Sequence, residues 1–91
     1  MLLFVRKKYS DAIRAGLKTF EIRAGKRYSK VRPGDQLSIN GQFRVEVRRV
    51  EAHGTLRALI DAFPALADDI AACYPDAPGP FFVFHFRPPP I

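Results

Sequence analysis

The sequence has 91 residues, which is enough for one domain with one modest core. Its 47% hydrophobic and 12% aromatic content excludes an intrinsically disordered chain. The formal net charge of +6 is uneven, since residues 1–50 hold 13 Lys and Arg against 4 Asp and Glu, and residues 51–91 hold 2 against 5. A basic half of this kind favours a phosphate-bearing partner, although a merely solvated surface has the same composition.

The single cysteine, Cys73, excludes an internal disulfide and fits a reducing compartment. No apolar run approaches the roughly 20 residues that cross a bilayer, and Met1–Val5 is too short for the apolar part of a signal peptide. We therefore expect a cytoplasmic protein with no membrane partner. His53, Cys73 and His85 lack the spacing of metal ligands, so neither a metal nor a cofactor is expected. The sequence leaves the oligomeric state open.

The N-terminal quarter of the chain predicts a strand, a short helix and a second strand. Leu2–Val5 is an apolar run typical of a buried strand. Ser10 is a suitable N-cap and Gly16 a suitable C-terminal cap, which predicts a helix over Asp11–Ala15. Apolar and polar residues alternate over Lys18–Arg23, as in a half-buried strand. The inner positions of that strand are Phe20 and Ile22, and the outer ones are Thr19, Glu21 and Arg23.

A basic loop and a hairpin follow. Ala24–Pro33 reads as the loop, and Asp35 is expected to hold the turn that closes it by bonding to the backbone. Asn40-Gly41 is a strong signal for a type I′ hairpin, because both residues accept positive φ. Arg48-Arg49 interrupts the alternation of the return strand and predicts a bulge or a strand end there. The inward-pointing residues of this hairpin are expected to be Leu37, Ile39, Phe43, Val45 and Val47.

The C-terminal part predicts two helices and a closing strand. Thr55 is a suitable cap for the first helix, and Pro64 stops or re-aims it. Ala65–Cys73 is predicted to be a further helical stretch, because its apolar residues repeat at the spacing of one helix face. Phe81–Phe86 is aromatic on both faces, so we expect a central strand covered on both sides. Residues 87–91 form a Pro-rich tail that cannot join a sheet interior.

The predicted order is a strand, a helix, three strands, helices and a last strand, in one domain over residues 1–91. Five strands with few helices in so short a chain favour an α+β fold. We expect a small, curved sheet or barrel with short helices at its ends.

The run Ala12–Arg23 resembles the ASCH domain, a branch of the PUA-like superfamily. The sequence pattern of the family is an isoleucine, any residue, a small residue, Gly, any residue, Lys-Thr, an apolar residue, Glu, any residue and Arg. Every position of this pattern is matched here. Weaker likenesses lie at Gly34-Asp35 with Leu37 and at Phe82–Phe86. The resemblance implies a five-stranded PUA-like β-barrel with short helices covering its ends, and a cleft lined by the Lys18–Arg23 strand. It also implies RNA or a modified nucleoside as ligand.

Four polar residues around that strand are the first binding candidates. Lys18 is expected to place a cation at the mouth of the cleft. Glu21 would accept from a base amino group, and Arg23 would fork onto a phosphate or a base edge. Thr19 either donates its hydroxyl to the ligand or only favours a strand. The alternative for Glu21 and Arg23 is a structural ion pair worth under about 1 kcal/mol if exposed.

Basic segments flank this strand on both sides in the sequence. Their candidate binding residues are Arg6, Lys7 and Lys8 after the first strand, and Lys26, Arg27 and Tyr28 in the basic loop. If the barrel closes, both segments flank the cleft as a phosphate track, with Tyr9 and Tyr28 as stacking surfaces. Two solvated charge runs are the alternative.

Three functional hypotheses follow. The first is an RNA- or modified-nucleotide-binding module. The second is a small hydrolase, since ASCH-like proteins include amidohydrolases that act on acetylated cytidine and proteins described as ribonucleases; Lys18 and Glu21 would then be the catalytic residues. Glu21 stands, however, where the amidohydrolase subgroup has its nucleophilic Thr, so whether the chain is an enzyme stays open. The third is a protein-interaction or regulatory module that uses the Leu56–Cys73 helices.

Overall fold

The structure is a computed structural model, and it describes residues 1–74 and 78–87. Over these residues the chain forms five strands and three α-helices. In chain order they are β1 (Leu2–Leu3), α1 (Lys7–Arg14), β2 (Phe20–Ala24), β3 (Gln36–Ile39), β4 (Phe43–His53), α2 (Leu56–Ala62), α3 (Ala67–Cys73) and β5 (Phe81–Phe86). Short 3-10 helices lie at Lys26–Lys30 and Pro64–Leu66. The predicted α+β class is confirmed.

The strands form one mixed sheet in the order β1-β3-β4-β5-β2. β1 is parallel to β3, with Leu2 opposite Ser38, and β3 is antiparallel to β4, with Leu37 opposite Val45. The order ends at β1 on one side and at β2 on the other, so over the described residues the sheet is not closed into a barrel. The predicted barrel, with helices covering its ends, is therefore not confirmed. β1 is a two-residue edge strand, which offers little backbone for a closing pair.

The turn between β3 and β4 is the predicted type I′ hairpin, with φ of 55° at Asn40 and 71° at Gly41. The Asn40 side chain adds a contact that the sequence pattern does not reveal. Its Oδ1 accepts from the Val5 amide at 2.8 Å, and its Nδ2 donates to the Val5 carbonyl at 3.0 Å. The side chain therefore ties the residues after β1 to the hairpin and supports the parallel pairing of β1 with β3.

We expect Asn40→Ala to lower the free energy of unfolding by about 2–4 kcal/mol, because it removes both bonds and because alanine adopts positive φ less readily than asparagine does. Asn40→Gly keeps the backbone freedom and loses only the bonds, so about 1–2 kcal/mol is expected. Urea denaturation followed by circular dichroism measures both losses. An Asn40→Gly protein as stable as the wild type would show that the Val5 bonds contribute nothing.

Helix α1 begins at Lys7 rather than at Asp11, so the predicted start is wrong. Arg6 stands at its N-cap, with no side-chain cap bond. The Ser10 hydroxyl, predicted as the cap, instead donates to the Lys7 carbonyl at 3.1 Å from a buried position. A serine hydroxyl can bond backward within a helix as readily as it caps one, and here the backward bond is the one formed. Gly16 follows the helix with φ of 78°, as predicted for a glycine past a helix end.

The predicted basic loop is more ordered than the composition indicates. A 3-10 helix occupies Lys26–Lys30, and Tyr28 within it is only 7% exposed. The turn after it is as predicted, since the Asp35 carboxylate accepts from the Arg32 amide at 2.9 Å. β2 begins at Phe20, so Lys18 lies just before the strand rather than on it.

Strand β4 does not end at Arg48-Arg49 but continues to His53. Both arginines are nevertheless exposed, although adjacent residues of a regular strand point to opposite faces. The interrupted alternation at Arg48-Arg49 therefore reflects the exposure of two successive side chains, and it does not mark the end of the strand.

The C-terminal elements follow the prediction closely. The Thr55 hydroxyl accepts from the Ala58 amide at 3.1 Å and caps α2. Pro64 opens the second 3-10 helix, after which α3 begins at Ala67. β5 is buried along both faces, with only His85 half-buried. The predicted tail beyond Arg87 lies outside the described residues.

The chain divides into two compact units. Unit 1 comprises residues 1–21, 31–50 and 84–91, and unit 2 comprises residues 22–30 and 51–83. Buried hydrophobic residues of unit 1 are Leu3, Ile13, Val31, Leu37, Ile39, Val45, Val47, Phe84 and Phe86. Buried residues of unit 2 are Ile22, Tyr28, Leu59, Ile70, Phe81, Phe82 and Val83. Within unit 2, α2 contacts α3, and the Tyr74 hydroxyl donates to the Ile22 carbonyl at 2.6 Å.

Candidate functional site

The first candidate site in unit 1 is built around Lys18. The helix end positions this residue, because the Leu17 and Lys18 amides both donate to the Ala12 carbonyl, at 2.9 and 3.1 Å. The Lys18 Nζ lies 3.4 Å from Glu21 Oε1 and 4.1 Å from the centre of the Tyr9 ring. The side chains of Lys18 and Glu21 are only 20% and 13% exposed. The sequence therefore brings together a cation, a carboxylate and an aromatic face at the entry to β2.

The hydrogen-bonding groups of this pair differ in kind. An ammonium group offers three donors and a carboxylate offers only acceptors, so the pair presents both kinds of hydrogen-bonding group side by side. Because both side chains are mostly shielded from water, their attraction is screened less than that of an exposed pair. A ligand with neighbouring acceptor and donor groups, such as the edge of a nucleobase, has the matching chemistry.

The Tyr9 ring is shared by two lysines. The Lys8 Nζ lies 4.9 Å from the ring centre, beside the Lys18 contact at 4.1 Å. Both distances are those of cation–π contacts. The sequence predicts that a base stacks on Tyr9, and such a base would share the ring with these two ammonium groups.

The site extends from Phe20 to a second group of residues on β4 and β5. The Phe20 and His85 rings lie 6.2 Å apart between centroids, tilted by 38°. His85 Nε2 lies 3.2 Å from Arg49 Nη2. Because a guanidinium nitrogen can only donate, Nε2 of the imidazole is the acceptor in this contact. Arg48, Arg49 and His85 line a cavity of about 390 Å³.

Sequence reasoning missed this second group. The interrupted alternation of apolar and polar residues at Arg48-Arg49 is the sequence signal nearest to this group, but it predicts only a bulge or a strand end. The spacing of His85 argues against a metal site and does not indicate a contact with an arginine.

The other predicted residues of unit 1 are exposed. Arg6 stands at the α1 N-cap, Lys7 forms an ion pair with Asp11 at 2.8 Å, and Thr19 lies before β2. The Thr19 carbonyl accepts from the Phe86 amide at 2.8 Å, so its backbone is used in pairing. These positions are accessible to a ligand, and their binding roles stay predictions.

The remaining predicted residues belong to unit 2. Arg23 is half-buried and its Nε is buried. Lys26 and Arg27 are exposed on the 3-10 helix, and the Arg27 guanidinium lies 4.8 Å from the centre of the Tyr28 ring. The burial of Tyr28 favours a core role for this ring over the predicted stacking surface.

The described residues contain no grouping of three or more His, Cys, Asp or Glu side chains able to hold a metal ion. Over residues 1–74 and 78–87, none of the helices has the length and apolar character needed to cross a membrane.

Comparison with known proteins gives a fold but no family. No family model and no curated protein matches the sequence. A crystal structure of the hypothetical protein PH0355 is similar, with a TM-score of 0.77 and 14% identity over 97% of each chain. The solution structure of protein PF0455 from Pyrococcus furiosus has a TM-score of 0.67 and 13% identity, over 96% of this chain and 94% of that one. At these identities the likeness shows the fold alone.

Proposed function

We propose that this chain binds RNA or a nucleotide-like ligand through unit 1, as an ASCH-like, PUA-like module. The observation that carries the proposal is the Lys18–Glu21 pair, mostly shielded from water beside the Tyr9 ring. The run from Gly16 to Arg23, which resembles the ASCH pattern, supplies these two residues and gives independent support from the sequence.

The distribution of charge supports a phosphate-bearing ligand. Unit 1 holds ten Lys and Arg against four Asp and Glu, a net charge of +6, whereas unit 2 holds five of each and is neutral. The entire excess of positive charge of the chain therefore belongs to unit 1. A surface of this sign raises the local concentration of phosphates and speeds their association.

The net charge of +6 already counts the four acidic residues of unit 1, and each of these is engaged within the unit. The four contacts are Asp11 with Lys7, Glu21 with Lys18, Asp35 with the Arg32 amide, and Glu46 with Arg87. Among the described residues, Arg6, Arg44 and Arg48 have no such acidic partner. These guanidinium groups are available to an external anion.

In the proposed complex, basic side chains of unit 1 bind the phosphates of the ligand, and the Lys18–Glu21 pair forms hydrogen bonds with a base. Glu21 accepts from an exocyclic amino group and Lys18 donates to a neighbouring ring nitrogen or carbonyl oxygen. Phosphate contacts supply most of the affinity, and base contacts supply the preference. The contribution of Arg23, which belongs to unit 2, stays a prediction.

We expect the affinity for a labelled single-stranded RNA 8-mer to fall steeply with salt. The logarithm of the association constant should fall against the logarithm of salt concentration with a slope of about −0.7 for each phosphate neutralised. Fluorescence anisotropy between low and physiological salt measures this slope. Parallel incubation with acetylated cytidine and with the RNA itself, followed by chromatography, detects any hydrolysis. Absence of binding, or binding that salt does not change, would contradict the proposed function.

A further inference from the structure

We propose that a polar cavity of unit 1, between helix α1 and the β3–β4 turn, binds a sugar–phosphate unit of RNA and distinguishes ribose from deoxyribose. The inference rests on the proposed function and adds the part of the nucleic acid that this surface recognises. The cavity has a volume of about 590 Å³, within the roughly 300–1,000 Å³ typical of small-ligand clefts. Its lining includes Lys7, Ser10, Asp11, Arg14, Asn40 and Gln42.

One wall of the cavity is a polar face of α1, and the other is the turn. The helical residues are spaced i, i+3, i+4 and i+7, so they share one face of the helix. On the opposite wall, the Asn40 side chain is held by its two bonds to the Val5 backbone, at 2.8 and 3.0 Å. Gln42 follows the turn with an exposed amide. The helix face therefore lies opposite a turn whose position is fixed.

Arg14 supplies the group that binds a phosphate. Its guanidinium carbon lies 4.5 Å from the centre of the Phe43 ring. This contact restricts the guanidinium before any ligand arrives and leaves its in-plane N–H groups able to donate. Within residues 1–74 and 78–87, the Arg14 side chain makes no ion pair and no hydrogen bond. The non-bridging oxygens of an RNA phosphate are suitable acceptors for this fork of donors.

Asp11 supplies an acceptor next to that cation. Its Oδ2 accepts from the Lys7 Nζ at 2.8 Å, whereas its Oδ1 has no hydrogen-bond partner among the described residues. Asp11 precedes Arg14 by three positions, so the two side chains are neighbours on the helix surface. A ligand for this pair has an anionic group beside a hydrogen-bond donor. A bare anion lacks the donor and is repelled by the carboxylate.

Ribose in an RNA strand has this combination of groups. Its 2′-hydroxyl is next to the 3′-phosphate and can donate as well as accept. With the phosphate on Arg14, the 2′-hydroxyl donates to Asp11 Oδ1. Deoxyribose leaves Oδ1 without that bond and still brings a phosphate close to the carboxylate. The cavity therefore favours RNA over DNA.

The test compares the RNA 8-mer with a 2′-deoxy counterpart that carries the same bases, by fluorescence anisotropy. We expect wild-type protein to bind the RNA about tenfold more tightly, the effect typical of one hydrogen bond to a charged group. Asp11→Ala should reduce this preference to within about twofold. The preference is measured because loss of a negative charge strengthens binding of both polymers alike. Asp11→Asn keeps an acceptor oxygen and should retain an intermediate preference.

Arg14→Gln tests the phosphate contact. It should weaken binding of both polymers about tenfold and reduce the salt slope for RNA by about 0.7, the value for one phosphate contact. NMR spectra of the labelled protein locate the site with the dinucleotide UpU as the probe. We expect saturable shifts in the amide resonances of residues 11, 14 and 42, and Arg14→Gln should remove them.

The matched controls are in α2 of unit 2. Arg57 and Asp61 form an exposed ion pair at i,i+4, as Lys7 and Asp11 do, and the Asp61 and Asp11 side chains are 64% and 62% exposed. Asp61→Ala and Arg57→Gln therefore remove the same groups from a similar setting outside unit 1. Affinity for RNA should stay within about twofold, with the preference for RNA unchanged. Circular dichroism checks that every variant is folded.

The outcomes separate this inference from the proposed function. If wild-type protein binds both polymers equally, or if Asp61→Ala lowers the preference as much as Asp11→Ala, the inference is overturned while RNA binding stands. Arg14→Gln protein that binds RNA as tightly as wild type overturns it as well. If wild-type protein does not bind the RNA 8-mer, the proposed function and the inference fail together.

Discussion

Phe84→Ala is expected to lower the free energy of unfolding by about 3–5 kcal/mol, the largest stability loss of any substitution considered. Phe84 is 0% exposed in the middle of β5, and β5 lies between β4 and β2 in the sheet. Truncation removes a large buried ring and leaves a cavity that the fixed strands cannot collapse to fill. Small domains have only about 5–15 kcal/mol of stability in total, so much of the native population should be lost at moderate temperature.

Urea denaturation followed by circular dichroism measures this loss, and Phe4→Ala is the matched control. Phe4 is a phenylalanine of the same unit but is 72% exposed. Its truncation should change the stability by less than about 0.5 kcal/mol, as is usual for surface positions. Equal losses in the two variants would contradict the assignment of Phe84 to the core and of Phe4 to the surface.

Lys18→Glu should destabilise the domain and abolish ligand binding together. The substitution places two carboxylates side by side where Lys18 and Glu21 now form a mostly shielded pair. It also removes the ammonium group from the Tyr9 ring. We expect a loss of about 2–4 kcal/mol, somewhat less than for a fully buried pair.

The exchange variant Lys18→Glu with Glu21→Lys separates the structural from the functional role of this pair. It restores opposite charges and should recover more than half of the lost stability. Binding of the RNA 8-mer should stay at least about tenfold weaker than wild type, because donor and acceptor have changed places relative to the ligand. Denaturation and anisotropy measured on the same samples test both statements. Recovery of binding along with stability would show that Lys18 and Glu21 serve the fold and not the ligand.

Much of the fold was predictable because its signals are local. Asn40-Gly41 needs positive φ at two successive residues, and few other dipeptides permit it, so the hairpin could be placed from sequence. The aromatic run of β5 indicated burial on both faces, since no water-facing positions alternate with the apolar ones. Thr55 and Pro64 marked the helix boundaries for equally local reasons.

The errors arise where two local solutions compete. Ser10 can cap a helix or bond backward within one, and the sequence does not decide between them; the chain forms the second. The start of α1 was misplaced for that reason. In the basic loop, charge suggested solvent exposure, but Tyr28 is buried within a 3-10 helix.

The candidate site was only partly predictable because its parts are far apart in the sequence. Lys18 and Glu21 are three residues apart and both belong to the run that resembles the ASCH domain, so the sequence predicts them as site residues. The contact of Arg49 with His85 joins residues 36 positions apart, and no periodicity indicates it. A contact of that kind depends on which strands are neighbours, which the sequence alone did not determine.

The Tyr9 ring has a practical consequence. The side-chain nitrogens of Lys8 and Lys18 both lie within 5 Å of its centre. Protons held over an aromatic face are shielded by the ring current, so the terminal methylene signals of both lysines should resonate upfield of ordinary lysines. Displacement of either ammonium group would return its signals to the usual position. These lysine signals therefore serve as a built-in NMR reporter beside Glu21. They show which of the two lysines moves when a ligand binds.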